Sequence, residues 1–316
     1  MRQPAPTFDD VLAAAARIAP HAYVTPVLRS HVLDQQSGAH LNFKCEHLQR
    51  VGAFKFRGAC NAVWTLSDAQ ARAGVVTHSS GNHGAALALA ARTRGIACHV
   101  VVPDGAVATK VASIARYGAT VHGCAASITA REETCARVQR ETGATLVHPY
   151  ADSSVIAGQG TAALELLNEA GSLDVLVVPV GGGGLAAGTV LAAAARAPGC
   201  QVVLAEPAGA ADTARSIAAG ERQVDFTPDT VCDGLRGSLG QVNFDLLQAH
   251  AVQVLTVDDA ATVAAMRLLW QVTKQLVEPS SAIALAAILQ QPARFAGRRV
   301  GVVLSGGNVD LDALPW

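Results

Sequence analysis

Four short stretches of the 316-residue chain combine side chains and bare backbone suited to chemistry. Lys55 lies in Gly52-Ala-Phe-Lys-Phe-Arg-Gly58. A lysine is ordinarily a solvated surface group, but Phe54 and Phe56 flank this one. An ammonium among aromatic rings loses solvation, which lowers its pKa and frees the amine. A freed amine can form a Schiff base with a carbonyl and afterwards act as a base. Ser79-Ser80-Gly81-Asn82-His83-Gly84 brings together small hydroxyls, a carboxamide and exposed N–H groups, a cradle for a carboxylate. The same residues would also serve as an ordinary helix N-cap. Gly181–Gly184 follows an apolar strand and opens a helix, so N–H groups without side chains form an anion site fit for phosphate. Ser305-Gly-Gly-Asn308 closes the last strand with a further hydroxyl.

The glycine run by itself is ambiguous. Gly181, Gly183 and Ala186 also satisfy the loose G-x-G-x-x-A pattern, and Glu206 follows at the end of the next strand as a candidate ribose-binding acid. Spacing alone therefore leaves a nicotinamide dehydrogenase open. No GxxxxGK[ST] occurs, which excludes a P-loop nucleotidase.

These stretches need elements to carry them. From residue 74 short β-branched runs alternate with Ala-rich helical stretches. Strands are expected at 75–77, 98–102, 120–122, 145–147, 175–179, 201–205, 252–257 and 299–304. Helices are expected at 84–94, 109–117, 128–141 (Ser127 as N-cap), 153–169, 185–196, 259–274 and 280–289. The first seventy residues read as less regular. Such alternation predicts parallel sheets covered by helices, in two α/β lobes with a cleft between them. Ligands sit at the carboxyl ends of such strands. The loops after Thr77, Pro179 and Leu304 all fall there.

Composition removes other classes. Half the residues are hydrophobic and 16% are charged, enough apolar material for solid cores. Twenty-four basic against twenty-five acidic side chains leave a formal charge of −1, with no basic surplus for nucleic acid or anionic lipid. Met1–Asp10 lacks an apolar secretory stretch, and the uncharged run at 175–195 is broken by Pro179 and the glycines, so no membrane span is expected. Seven cysteines without CxxC spacing suit a reducing cytosol.

Taken in order, AFKFRG around Lys55, THSSGNHG at 77–84, PVGGGG at 179–184 and LSGGN at 304–308 resemble the pyridoxal-phosphate enzymes of the tryptophan-synthase-β fold, fold type II. The likeness is to the serine racemase and serine/threonine dehydratase family. It runs from about Thr25 to the C-terminus and includes IAGQGT at 156–161, CDGLRGSLG at 232–240 and LVEPSSA at 276–282. The dehydrogenase reading recedes. The resemblance implies a large cofactor-binding domain of residues 1–70 and 152–316, a small substrate-binding domain of 71–151, and an active site in the interdomain cleft. It also implies a homodimer.

Residue by residue, the resemblance gives Lys55 the internal aldimine with pyridoxal 5'-phosphate. Gly181, Gly182, Gly183, Gly184 and the Leu185 amide would bind the phosphate, Asn82 the ring's phenolic oxygen, and Ser305 the pyridine nitrogen. A serine cannot stabilise a pyridinium as a carboxylate can, so the ring would stay neutral, a weaker electron sink that favours prompt elimination. Ser79, Gly81, Asn82 and His83 would hold the substrate carboxylate. The freed Lys55 would remove the Cα proton from one face, with Ser80 handling the proton on the other; loss of the β-hydroxyl would be assisted by the cofactor phosphate. Glu206, Ala210 and Asp212 match the family's divalent-cation site, suited to Mg²⁺ or Ca²⁺ in a structural or activating role; a solvated helix start is the alternative.

The implied reaction is dehydration and deamination of L-serine and L-threonine, with racemisation of serine beside it. Arg131 matches an arginine at the substrate end of the family's site and could pair with a second carboxylate, which would make threo-3-hydroxyaspartate the substrate; an exposed arginine paired with Glu132 or Glu133 is the other use. Gly237 stands where mammalian serine racemase has serine, and Tyr150 where it has asparagine. Lys110 and Tyr117 match the family's ATP region, whereas Thr109 and Ala85 depart from it. No regulatory domain of the isoleucine-sensing kind is expected after Trp316. A cofactor-carrying binding protein without turnover is disfavoured, since Lys55 and Ser80 are both present.

Overall fold

The computed structural model describes residues 4–106 and 108–316. Its strands, in chain order, are β1 (Val27–Leu28), β2 (His40–Cys45), β3 (Val75–His78), β4 (Cys98–Pro103), β5 (Thr120–Cys124), β6 (Thr145–Leu146), β7 (Val175–Pro179), β8 (Gln201–Pro207), β9 (Gln253–Val257) and β10 (Arg299–Leu304). They form a six-stranded sheet, β1-β2-β10-β7-β8-β9, and a four-stranded sheet, β5-β4-β3-β6. Every pairing is parallel except β1 with β2. Helices cover the sheets, so the inner strands read as unbroken apolar runs; β7 is buried along its whole length. The smaller sheet draws all its strands from 75–146, and the larger takes strands from both sides of that segment.

The strands expected from residue 74 onward are present, with β8 extended through Glu206 to Pro207. One helix starts earlier than expected, at Asn82 and not Gly84. The first seventy residues correct the reading more substantially. They hold helices at Phe8–Ile18, His31–Ser37, Lys55–Thr65 and Asp68–Ala73 and the central strand β2. The first and last of these helices carry a complete local signal, a capping box in which Thr7 and Asp10, and likewise Ser67 and Gln70, satisfy each other's backbone N–H. β2 shows no alternation because Leu41–Cys45 are buried on both faces.

Three helices meet without side chains between them. A Cβ on Gly158 would lie 2.6 Å from Gly58 Cα, and one on Gly188 would lie 2.4 Å from the Gly160 nitrogen. Gly58 belongs to the Lys55–Thr65 helix, Gly158 and Gly160 to Ser153–Ala170, and Gly188 to Gly184–Arg196. The middle helix thus sets the distance between the helix begun by Lys55 and the helix begun by the glycine run. Gln159 Oε1 accepts from the Gly58 N–H at 3.1 Å at the same junction.

Beside this junction Arg57 is fully buried. Its guanidinium donates to both oxygens of Glu46 (2.7 and 2.8 Å) and both oxygens of Glu165 (2.7 Å each). Lys44 Nζ adds a 2.6 Å bond to Glu165. Two cations and two carboxylates balance, so each buried charge keeps a partner. Arg57→Ala would leave Glu46 buried beside no cation. We expect it to lower stability by about 3–5 kcal/mol, read as a lower urea midpoint; an unchanged midpoint would mean that water replaces the guanidinium freely.

Candidate active site

Lys55 is the first residue of its helix, and the chain is turned into it by two left-handed residues, Val51 (φ 58°) and Gly52 (φ 70°). The approach is stitched to the loop after β10. Phe54 N–H donates to Ser305 O at 3.0 Å and Gly307 N–H to Gly52 O at 2.9 Å, around a bridge between Ala53 and Gly306. The amine donates to Pro149 O at 2.9 Å and lies 5.1 Å from the Phe54 ring centre. Phe56 does not flank it as expected: one residue into the helix, its ring is fully buried in the core beneath the smaller sheet. Burial lowers the Lys55 amine to about 8, against an upward pull from the Glu278 carboxylate. About one amine in ten is then unprotonated at pH 7.

Gly181–Gly184 joins β7 to the Gly184–Arg196 helix, whose N-cap, Gly183 (φ 89°), supplies no side-chain cap. The first-turn N–H groups are left for another partner, which is the requirement for an anion site. Absence of side chains is also steric. A Cβ on Gly182 would meet Tyr150 Cγ at 2.4 Å, and one on Gly183 would meet Leu239 Cδ1 at 2.6 Å. Buried Asn243, which the sequence reading did not single out, donates to Gly182 O (2.5 Å) and Tyr150 O (2.9 Å), fixing the loop from below. An asparagine three residues after a glycine carries no local signal of this.

Beyond β3, Ser79 N–H donates to Val101 O at 3.1 Å and Gly81 N–H to Ser79 Oγ at 3.4 Å. Ser80 is half-buried, and nothing lies within 4 Å of where a Gly81 Cβ would stand. His83 is turned inward: its buried ring faces Val147 O at 3.4 Å, which leaves the main-chain N–H as its offer to a ligand. Asn82 Nδ2 donates to Glu278 Oε1 at 2.8 Å, and Asn82 Oδ1 accepts from Asn308 Nδ2 at 2.9 Å. Ser305 is buried, with Oγ 3.4 Å from Ser280 O. Glu278 was missed at the residue level although its motif was noted. Preceding a proline at a helix start it reads as a cap, yet its side chain makes no cap bond.

A row of rings lines the other side. His148 lies edge-on to Tyr150 (4.6 Å between centres) and to His78 (5.3 Å). His148 Nδ1 accepts from Ala151 N–H at 3.0 Å, so the ring is neutral with its proton on Nε2. Burial, then the nearby His78 and Lys55 charges, hold its pKa down at about 3. Burial lowers the His78 pKa; Glu132 pulls it up and Arg131, on the Ile128–Thr142 helix, pushes it down. Arg131 Nε is buried without a hydrogen bond, and among the described residues Arg131 forms no ion pair with Glu132, Glu133 or any other carboxylate.

Glu206 and Asp212 are both fully buried. Glu206 accepts from Thr213 N–H (2.7 Å) and Ala214 N–H (2.8 Å), and Asp212 Oδ2 from Leu239 N–H (2.7 Å). Asp212 Oδ1 has no partner. Burial pushes the two carboxyls up to about 7 and about 6. Both Glu206 oxygens face main-chain N–H groups at a helix start, where the dehydrogenase reading needed the carboxylate turned to a ribose. A surface depression around Leu167, Asp174, Cys200 and Arg299 lies at the opposite end of β7 from Lys55 and holds no such constellation.

Comparison with known proteins shows the family of the chain. The family model for pyridoxal-phosphate dependent enzymes matches residues 18–306. The β-hydroxyaspartate dehydratase of Paracoccus denitrificans is 50% identical over 98% of this chain and 99% of its own. The serine racemase of Arabidopsis thaliana is 47% identical, covering 94% of this chain and 92% of the relative. The structure of maize serine racemase superposes with a TM-score of 0.96 at 45% identity, over 98% and 95% of the two chains.

The lowered amine has a direct consequence. The rate at which cofactor-free protein takes up pyridoxal phosphate on Lys55 should climb about tenfold per pH unit below 8 and level off above it. A rate still climbing past pH 9.5, followed by stopped-flow absorbance, would show an ordinary solvated lysine.

Proposed function

The chain belongs to the pyridoxal-phosphate dependent enzyme family, and on that premise we propose that it eliminates water and ammonia from β-hydroxy-amino acids. L-serine would give pyruvate and L-threonine 2-oxobutyrate, with racemisation of serine as an accompanying activity. The observation that carries this reading is a lysine amine depressed to about 8 and oriented by the Pro149 carbonyl, braced through glycine contacts to an uncapped helix N-terminus.

The residues present fit the cofactor. Uncapped amides from Gly181 to Leu185 suit its phosphate, Lys55 its aldehyde, Asn82 its ring oxygen and Ser305 its ring nitrogen. When bound, it supplies an aldehyde that engages the substrate amine and a conjugated ring that takes up charge from Cα. Lys55, once released, is the base for the Cα proton, at a pKa suited to neutral pH. Ser80 would hold or return a proton on the opposite face. Ser79, Gly81, Asn82 and the His83 N–H would receive the substrate carboxylate. Such positioned proton transfers contribute ~10² to 10⁴-fold in rate. We assign residues 71–151 to a small substrate-binding domain and 1–70 with 152–316 to a large cofactor-binding one, consistent with the division of strands between the two sheets.

A specific observation favours a second substrate, threo-3-hydroxyaspartate. Arg131 is an unpaired guanidinium with a buried Nε beside His78, and a second carboxylate would complete it. The Paracoccus relative bears the name of that activity.

At Glu206, Asp212 and the Ala210 carbonyl we propose a Mg²⁺ or Ca²⁺ ion of structural or activating role, because two adjacent buried carboxyls with an orphaned oxygen gain from a cation. We also propose that the chain forms a homodimer. Seven unpaired cysteines suit a reducing, cytosolic setting, and no helix among the described residues is long and apolar enough to cross a membrane.

Release of keto acid should be assayed with L-serine, D-serine, L-threonine and both threo- and erythro-hydroxyaspartate. Turnover with at least one is expected, and Lys55→Ala should abolish it together with the visible absorbance; turnover retained by that variant would overturn the assignment. Arg131→Ala should cut kcat/KM for hydroxyaspartate by about 10²-fold or more, as expected for an unpaired buried carboxylate, and that for L-serine far less. Equal losses on both substrates would remove Arg131 from specificity.

A further inference from the structure

The elimination as described gives Glu278 no part, yet it is buried at 3% exposure against the loops that would hold the cofactor. Its N–H donates to Gly306 O at 3.0 Å, and a Cβ on Gly306 would lie 2.5 Å from Oε1, so the carboxyl is pressed onto the loop after β10. Oε2 is buried and makes no hydrogen bond. Lys110 and Asp233, paired with each other, and Lys55 are the charged groups around it.

The orientation of the neighbouring amides follows from one main-chain oxygen. Val51 O accepts from Asn308 at 2.7 Å, and a carbonyl can only accept, so that end of Asn308 is its NH₂. The second proton of this NH₂ goes to the Asn82 side chain at 2.9 Å, which must therefore present Oδ1. Asn82 Nδ2 is then directed at Glu278 Oε1, 2.8 Å away. An amide NH₂ has two protons. Glu278 takes one, and one remains.

We propose that Glu278 and Asn308 are positioning residues that clamp the Asn82 carboxamide from both ends, so that its remaining N–H is held toward the ring oxygen of the bound cofactor. The proposal rests on the reading above, in which Asn82 faces that oxygen. Without the clamp the carboxamide is free to turn, and its oxygen would repel the ring oxygen where its N–H had donated. A lost or reversed hydrogen bond of this kind moves the proton affinity of the lysine-bound cofactor.

The test is a pH titration of the visible absorbance of the cofactor-loaded protein. Glu278→Ala and Asn308→Ala should each shift the midpoint by about one pH unit in the same direction, and the double variant by no more than the larger single shift. Glu278→Gln keeps an acceptor oxygen but loses the charge that raises the Lys55 amine, so its midpoint should move clearly less than that of Glu278→Ala. Should Glu278→Ala fail to fold, Asn308→Ala probes the same chain from its far end. A midpoint shifted as far in Glu278→Gln as in Glu278→Ala would show that only the charge matters, and unshifted alanine variants would show no clamp; either overturns the proposal. An unmodified protein that acquires no visible absorbance on Lys55 overturns the underlying functional reading, and this clamp with it.

Discussion

Three helix backbones touch at Gly58 and Gly158 and again at Gly160 and Gly188, and the geometry of the site is inherited from those contacts. A methyl group at any of the four would meet main-chain atoms of a neighbouring helix within 3 Å, joined at Gly58 by the Gln159 side chain and at Gly160 by Val11. The contacts set how far the Lys55 amine stands from the first turn of the Gly184–Arg196 helix. Arg57, on the turn that begins with Lys55, locks the same helix to Glu46 and Glu165 through paired charged hydrogen bonds. Apolar packing tolerates small slips; bidentate guanidinium–carboxylate pairs do so far less.

Inside that frame the titratable groups are displaced toward neutral forms. The amine of Lys55 comes down, the carboxyl of Glu278 goes up to about 7, and His83 and His148 are held unprotonated. One cause recurs in each case: burial disfavours the charged state, and no full partner offsets it. Such a region can accept a charged ligand on favourable terms, because the ligand supplies the countercharge that the protein omits. Arg131 is the complementary case. It cannot lose its proton, and its buried nitrogen has no hydrogen-bond partner.

The functional groups come from the ends of β3, β7 and β10 and from the start of one helix, and they meet only because two sheets turn those ends toward each other. Hydrogen bonds cross between the sheets there, from Asn82 to Glu278 and from Asn308 to Asn82. The ion pair of Lys110 with Asp233 also spans the two sides. The junction therefore joins side chains from both sheets in one volume. Tyr150 illustrates it: the ring occupies space left by Gly182 and lies 3.3 Å from where a Gly237 Cβ would stand, so residues far apart in the chain share one volume.

Much of this was legible beforehand because the signals are local. Strand–helix alternation after residue 74, the glycine run at a helix start and the serine-rich loop after β3 are each written in consecutive residues, and their joint order gave the family. The N-terminal seventy residues were misread because β2 is buried on both faces and shows no period, and because the Lys55–Thr65 helix has no side-chain cap. Phe56 was placed beside the amine by adjacency in sequence, whereas a helix rotates successive side chains by about 100° and sends that ring into the core. Residue types and order determined what chemistry is available: an amine, an anion cradle, a carboxylate cradle. Folding alone decided which groups lose water and which meet. Lys55 falls to about 8, Glu278 faces Asn82 and Arg131 stands unpaired through burial and contacts between segments up to 226 residues apart, and solvation is a property of the surroundings, not of the residue.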